Sequence, residues 1–155
     1  MDDNDNWLVH EHSLYENLLS ICRDAAEAED WESVERALHE LVTHLKRHVA
    51  LEEEVLFPAY EAAPGASPVP TTALREEHDA IVRLLRDFAQ VLTTRQRDPV
   101  LESLDRIENR MIRHHEKEED IFLPMASHVL RDSRDQVLRK LAESADAGYR
   151  RDWDI

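Results

Sequence analysis

Apolar residues return at steps of three and four along most of the chain. Leu8, Tyr15, Leu18, Leu19, Cys22 and Ala26 make one such run, and Leu38, Leu41, Leu45, Val49 and Leu56 a second. Leu74, Ile81, Leu84, Leu85, Phe88 and Leu92 make a third, and Leu101, Leu104, Ile107, Met111 and Phe122 a fourth. A stripe with that period is one face of an α-helix. Runs of alternating apolar and polar residues, the mark of a half-buried strand, are hard to find. The pattern predicts helix A from about Trp7 to about Glu27 and helix B from near Asp30. It predicts helix C from about Thr72 to about Thr94 and helix D from Asp98-Pro99.

The punctuation agrees with the stripes. Asp30 is a candidate N-cap, and Asp98-Pro99 is a cap followed by proline at the first helical position. Residues 63–70, APGASPVP, hold three prolines and a glycine and cannot propagate a helix. A shorter helix is expected over about 133–147, with Val137, Leu138 and Leu141 inward. The tail from Gly148 to Ile155 reads as loose. Four long amphipathic helices with short connections predict an all-α protein, an antiparallel up-and-down four-helix bundle with a short C-terminal helix. At 155 residues the chain is expected to be one domain, with its bundle core over about 7–127.

Composition supports helix: there are two glycines, and Leu, Ala, Glu and Arg are abundant. The formal net charge of −15, from 34 acidic and 19 basic residues, opposes binding to nucleic acid or to an anionic membrane. Most of these carboxylates must be a solvated surface, but some are candidate cation ligands. The single cysteine, Cys22, cannot form an internal disulfide. The start, MDDNDNW, leads into no apolar signal segment, and no stretch approaches a membrane span. The expectation is a soluble, cytoplasmic protein.

The inward stripes of helices B and D also carry Glu52 and Glu118. Each glutamate lies four residues after a histidine, in HVALEEEVLFP (48–58) and HHEKEEDIFLP (114–124). An offset of 66 superposes Glu11-His12 on Glu77-His78, Leu18-Leu19 on Leu84-Leu85, His48 on His114, Glu52 on Glu118 and Pro58 on Pro124. Two matched helical hairpins imply a pseudo-twofold bundle. Residues four apart on a helix are about 6 Å higher and roughly 40° round, so His48 with Glu52, and His114 with Glu118, reach one point together. His12 and His78 add one imidazole each. Four imidazoles and two carboxylates then converge on the bundle axis, as in dimetal sites built in bundle cores. A single His-x-x-x-Glu on an acidic helix is usually a surface pair, and histidine–glutamate pairing alone is the competing reading. Four matched histidines with two matched glutamates weigh against it, because burying six polar groups unpaired would cost on the order of 1–3 kcal/mol each.

At these residues the chain resembles the hemerythrin-like proteins, the HHE cation-binding family. The resemblance covers about residues 7–127 and rests on EHSLYENLL, HVALEEEVLFP, EHDAIVRLL and HHEKEEDIFLP. It implies metal ligands at His12, His48, Glu52, His78, His114 and Glu118. It further implies two iron ions bridged by the glutamates and by an oxo or hydroxo group, with His12 and His48 on one iron and His78 and His114 on the other. The sequence itself does not fix that pairing, and the ligand types also suit zinc or manganese. Oxygen-carrying members place a fifth histidine one turn beyond the helix C ligand. Here that position is Val82, so five-histidine coordination is absent. Val82 aligns with Glu16, which is a candidate further ligand, or a carboxylate holding a histidine tautomer, or a residue on the bundle's rim.

The implied function is binding, sensing or storage of a small ligand (oxygen, nitric oxide or iron itself) at a diiron site. A sensor would need a partner protein. The alternative is a diiron peroxidase or catalase-like enzyme acting on hydrogen peroxide. Counting ten back from each proline selects His114 over His115, which is turned about 100° away and is expected outward or beside the site. Glu53 and Glu119 fall beside it or on the surface by the same count. His44 is near enough along helix B to approach the site, and His10, His39 and His128 read as surface. Met111, Met125, Phe57, Phe88 and Phe122 read as core. Pro58 and Pro124 predict a bend or helix end just past each histidine–glutamate pair.

Overall fold

The computed structural model describes residues 7–132 together with Asp135, Arg139, Glu143, Trp153 and Ile155; side chains of 7–10, 128–130 and 132 fall outside the description. Among the described residues all regular structure is helical. Helix α1 spans Trp7–Glu27, α2 Trp31–Leu51, α4 Val69–Leu92 and α5 Arg97–Lys117. Short helices α3 (Phe57–Glu61) and α6 (Leu123–Asp132) extend α2 and α5. Helix α1 packs on α2 and on α5, and α4 packs on α5. His12 meets Glu118 while Arg23 meets Asp105, so α1 and α5 run in opposite directions. The result is the expected antiparallel bundle. The terminal helix expected over 133–147 lies mostly outside the described residues, although Asp135, Arg139 and Glu143 are helical.

Helix ends follow local chemistry, with two differences from expectation. Asp30 caps α2 as expected, accepting from Ser33 N–H at 3.3 Å and from Ser33 Oγ–H at 2.6 Å. Helix α4 begins at Val69 rather than near Thr72, with Pro68 as cap and Pro70 in the first turn. Proline is tolerated there because first-turn N–H groups have no intrahelical acceptor. Helix α5 begins at Arg97, capped by the extended Gln96, so Pro99 is the third helical residue and not the first.

Beyond each histidine–glutamate pair the helix neither ends nor simply bends. Residues Glu52–Leu56 and Glu118–Phe122 form one wide π turn each. Phe57 N–H donates to the Glu52 carbonyl and Leu123 N–H to the Glu118 carbonyl, five residues back. Pro58 and Pro124 have no N–H for the carbonyls of Glu54 and Asp120, and adding one residue to the turn carries the helical path past that gap.

The core has two apolar parts. The larger, including Leu19, Cys22, Leu41, Leu85, Phe88, Leu104 and Met111, fills the length of the bundle. The smaller, with Val55, Leu56, Phe57, Tyr60, Leu74, Phe122 and Ala126, closes one end. His48, His78 and His114 occupy the helical turns between the two. Met125 is exposed, contrary to the expectation that it is core, because α6 presents Phe122 and Ala126 inward instead. The tail also differs from expectation. Trp153 is fully buried in the larger core. Its carbonyl accepts from Arg86 Nε–H on α4 at 2.6 Å, and Lys46 of α2 lies over its ring. A large indole that buries its ring outweighs the disorder usual near a chain end.

Candidate metal centre

Six polar side chains sit where the apolar stripes pass through the middle of the bundle. His12 comes from α1, His48 from the last turn of α2, His78 from α4 and His114 from the last turn of α5. Glu52 and Glu118 each open a π turn. None is more than 3% exposed. The structure gathers them into two groups, His12, His48, Glu52 and Glu118, and Glu52, His78, His114 and Glu118. Within each group one ligand atom per residue lies within 4.8 Å of the others. Both carboxylates belong to both groups.

The inner contacts show how the sharing works. Glu118 Oε2 lies 3.0 Å from His12 Nε2 and 3.7 Å from His48 Nε2. Its other oxygen, Oε1, lies 2.6 Å from His114 Nε2 and 3.7 Å from His78 Nε2. Glu52 places Oε1 against His48 Nε2 and Oε2 at 3.0 Å from His78 Nε2. The Nε2 atoms of His78 and His114 face each other at 3.1 Å. Both Glu52 oxygens and Glu118 Oε1 are buried without a well-directed hydrogen-bond donor.

A ring of four outer carboxylates fixes the imidazoles. His12 Nδ1–H donates to Glu119 at 2.8 Å, His48 Nδ1–H to Glu11 at 2.5 Å, His78 Nδ1–H to Glu53 at 2.9 Å and His114 Nδ1–H to Glu77 at 2.8 Å. The pattern obeys the repeat, since Glu11 matches Glu77 and Glu53 matches Glu119 at the offset of 66. Each bond commits the Nδ1 proton outward and turns Nε2 inward, toward the two shared glutamates. Spacing alone puts Glu53 and Glu119 beside the site or on the surface and assigns Glu11 and Glu77 no role. The repeated Glu-His doublet at 11–12 and 77–78 was the available signal. A residue one step before the histidine is about 100° round the helix, so it reaches the histidine of the neighbouring helix rather than its own.

With protons as the only cations, the cluster holds them tightly. Burial opposes charge on His48, but the Glu52 carboxylate and hydrogen bonds with Glu11, Glu118 and Glu52 raise it well above the usual imidazole range. Burial opposes charge on His78 too, and hydrogen bonds with Glu118, Glu52 and Glu53 raise it well above that range. His114 is raised against burial by the Glu118 charge and by hydrogen bonds with Glu118 and Glu77. Glu118, despite burial, is pulled well below the carboxylate range by His114 and by hydrogen bonds with His114, His12 and His48. Such a site binds positive charge. A divalent cation would meet the inward Nε2 lone pairs and the undonated carboxylate oxygens together, so the residues fit a metal.

Of the two places expected for His115, the structure selects the one beside the site. The residue is buried, and its ring stacks on His12 with centroids 3.7 Å apart and planes 10° apart. Helix α5 packs against both α1 and α4, so two adjacent positions, His114 and His115, both have a helix to face. Burial, aided by the charges of His12, His114 and His48, pushes its pKa down to about 2. Its Nδ1 is buried with no hydrogen-bond partner. Tyr15 was not recognised as part of the site. It is fully buried, sets its ring edge against His48 at 5.5 Å, and its hydroxyl donates to Glu11 at 3.3 Å. Tyr15, three residues after His12, takes the inward position on that turn, and Glu16 is exposed and belongs to neither group. Val82 is buried. His44 and His39 are exposed, and the side chains of His10 and His128 lie outside the described residues.

No curated protein and no solved structure matches the chain. No helix among the described residues is long and apolar enough to cross a membrane. The family model of the hemerythrin HHE cation binding domain matches residues 3–126 and again 69–150, the second match starting at the second hairpin, as a chain with repeated halves would produce. Four paired histidines, two shared glutamates and a family model matched over most of the length agree, and the chain belongs to the hemerythrin HHE cation-binding family.

Proposed function

We propose that this protein is a non-haem diiron protein that binds a small molecule, dioxygen, nitric oxide or a peroxide, at one buried dimetal centre. The ligands are His12, His48, Glu52, His78, His114 and Glu118. His12 and His48 would hold one ion and His78 and His114 the other, with both glutamates placed to reach either. The carrying observation is that Glu52 and Glu118 each place oxygens against both histidine pairs. A surface ion-pair network would not bury six such groups, nor share two carboxylates between two histidine pairs.

When bound, two irons would supply reversible change of oxidation state and an open position for the small molecule. The chain's own part is to orient and to exclude water. Glu11, Glu53, Glu77 and Glu119 hold each Nδ1 proton, so all four imidazoles present Nε2 inward. Phe57 lies parallel to the His78 ring at 5.9 Å, and Phe122 packs edge-on to Phe57, so one end of the site is dry. Imidazole and carboxylate ligands also accept zinc and manganese, which elemental analysis distinguishes from iron.

The test is metal content and spectrum. The full chain, reconstituted anaerobically with ferrous iron, is expected to hold two irons and to gain a visible absorption on exposure to oxygen. No bound iron, or one per chain, would refute the dimetal reading. Oxygen evolution on adding hydrogen peroxide would assign the centre to peroxide chemistry instead of ligand binding.

A further inference from the structure

A cleft of about 320 Å3 opens between α1 and α5 on one side of the cluster. Its walls include Glu16, Ser20, Arg23, Glu108 and Met111, and His115 lines it as well. His115 is therefore shared between the cleft and the centre, since its ring also lies flat on His12. One imidazole separates the cleft from a residue of the first group. The cleft carries two carboxylates against one guanidinium. That guanidinium is already engaged, with Arg23 donating to Glu108 at 3.2 and 2.7 Å and to Asp105 at 2.5 Å. The field in the cleft favours cations over anions, in keeping with the net charge of −15.

His115 is the unexplained group here. It is 5% exposed and its Nδ1 has no hydrogen-bond partner, a state buried nitrogens rarely keep without a reason. Packing alone does not call for an imidazole at this position. The repeat mate of His115 is Val49, also buried, and it fills its place with an aliphatic side chain. Glu16 likewise has Val82 as its mate. Arg23 and Glu108 also stand opposite apolar mates, Ala89 and Val42, but they satisfy each other; the remaining polar breaks in the repeat are a carboxylate at the mouth, Glu16, and an imidazole at the floor, His115. Both are ligands for a divalent cation.

We propose that the α1–α5 cleft is the loading port of the centre. A divalent cation is drawn in at Glu16, is held transiently by His115, and passes to His12 and the first group. This rests on the dimetal reading above, and it makes Glu16 and His115 transfer residues rather than ligands of the finished site.

The experiment follows uptake of Co(II) by the metal-free full chain in a stopped-flow instrument, with metal content measured at the end. His115→Phe keeps a flat ring against His12 and removes the nitrogen; it is expected to slow uptake about tenfold while two ions still bind. His115→Gln, which restores a donor atom, should recover part of the rate. Glu16→Gln should slow uptake two- to threefold and weaken its dependence on salt, whereas Glu102→Gln, the loss of an exposed charge elsewhere on α5, should not. Thermal melts identify any variant that has lost its fold. Wild-type rates in both His115→Phe and Glu16→Gln, with two ions bound, would overturn the port. Faster uptake by His115→Phe would also overturn it, making the ring a plug. Absence of binding in the unaltered chain would instead refute the dimetal reading itself.

Discussion

The two histidine pairs share the same two glutamates and have different walls. Around His12 and His48 the neighbours are polar: His115 stacks on one ring, and Tyr15 stands edge-on to the other. Around His78 and His114 they are apolar, with Phe57 parallel to His78, and Val82 and Ile81 buried on the same helix. At the offset of 66, Tyr15 corresponds to Ile81, His115 to Val49 and Glu16 to Val82. The matching positions hold the four histidines, the two shared glutamates and the carboxylates that orient the imidazoles. The positions that differ hold what lies around these groups. Duplicated geometry builds two groups able to hold a metal ion, and the differing walls set what surrounds each of them.

The largest effect tests what the halves share. Glu118→Ala removes the carboxylate that touches all four imidazoles, and it leaves buried groups without their partner. Breaking one side of such a pair costs about 3–5 kcal/mol. The expected result is a lower melting temperature and loss of both ions, read by elemental analysis. A variant that kept two ions would show that the halves do not depend on a shared bridge. Next comes the pair that separates them. His12→Ala and His78→Ala should each leave one ion per chain, and loss of both ions from either would mean that the half-sites cannot fill alone.

Proton and metal should pull stability in opposite directions. His48, His78 and His114 are raised above the ordinary 6.5 in the fold. Their contribution to the metal-free protein is complete below about pH 6.5 and is lost as pH rises through their folded values. Glu118 is depressed below 4.5, so its contribution is present above that value and is lost as pH falls through its folded one. His115 works the other way: burial keeps it neutral down to about pH 2, so it costs stability as pH falls below 6.5, and the metal-free protein should melt highest near pH 6.5. A cation must displace the same protons, so the loaded protein should gain stability over the range in which the metal-free one declines. Melting curves that moved together with pH would break the link between the protonated cluster and the ion site.

Much of this was legible in the sequence because it is periodic. Three- and four-residue steps marked the helices, and the offset of 66 picked out four histidines and two glutamates that the structure brings together. What escaped was set by contacts across helices. His115 is one position off the ligand stripe, and only the packing of α5 against two neighbours turns it inward. Glu11 and Glu77 serve the histidine of the next helix, a relation that spacing within one helix cannot show. Pro58 and Pro124 announced a disturbance, but a widened turn and a broken helix begin from the same residue. Trp153 lies far along the chain from Lys46 and Arg86, and nothing local announces that contact.

The smallest effect probes the polar wall of the first pair. Tyr15 is buried, and burial, opposed by His48 and aided by Glu11 and Glu52, pushes its phenol far up, so the hydroxyl stays protonated as a donor. It donates to Glu11, which in turn accepts from His48 Nδ1–H, and it also reaches the His44 carbonyl at 3.3 Å. Tyr15→Phe keeps the ring against His48 and deletes only those bonds, at a cost of about 1 kcal/mol in a denaturant titration. Both ions should still bind. The spectrum of a Co(II)-loaded chain should shift slightly, because Glu11 holds His48 less firmly. The equivalent change on the other half, Ile81→Val, trims the apolar wall by one methylene, costs about 0.5–1.5 kcal/mol and should leave that spectrum unchanged. Equal spectral shifts from the two variants would mean that the polar wall is only packing, and that the difference between the half-sites carries no chemistry.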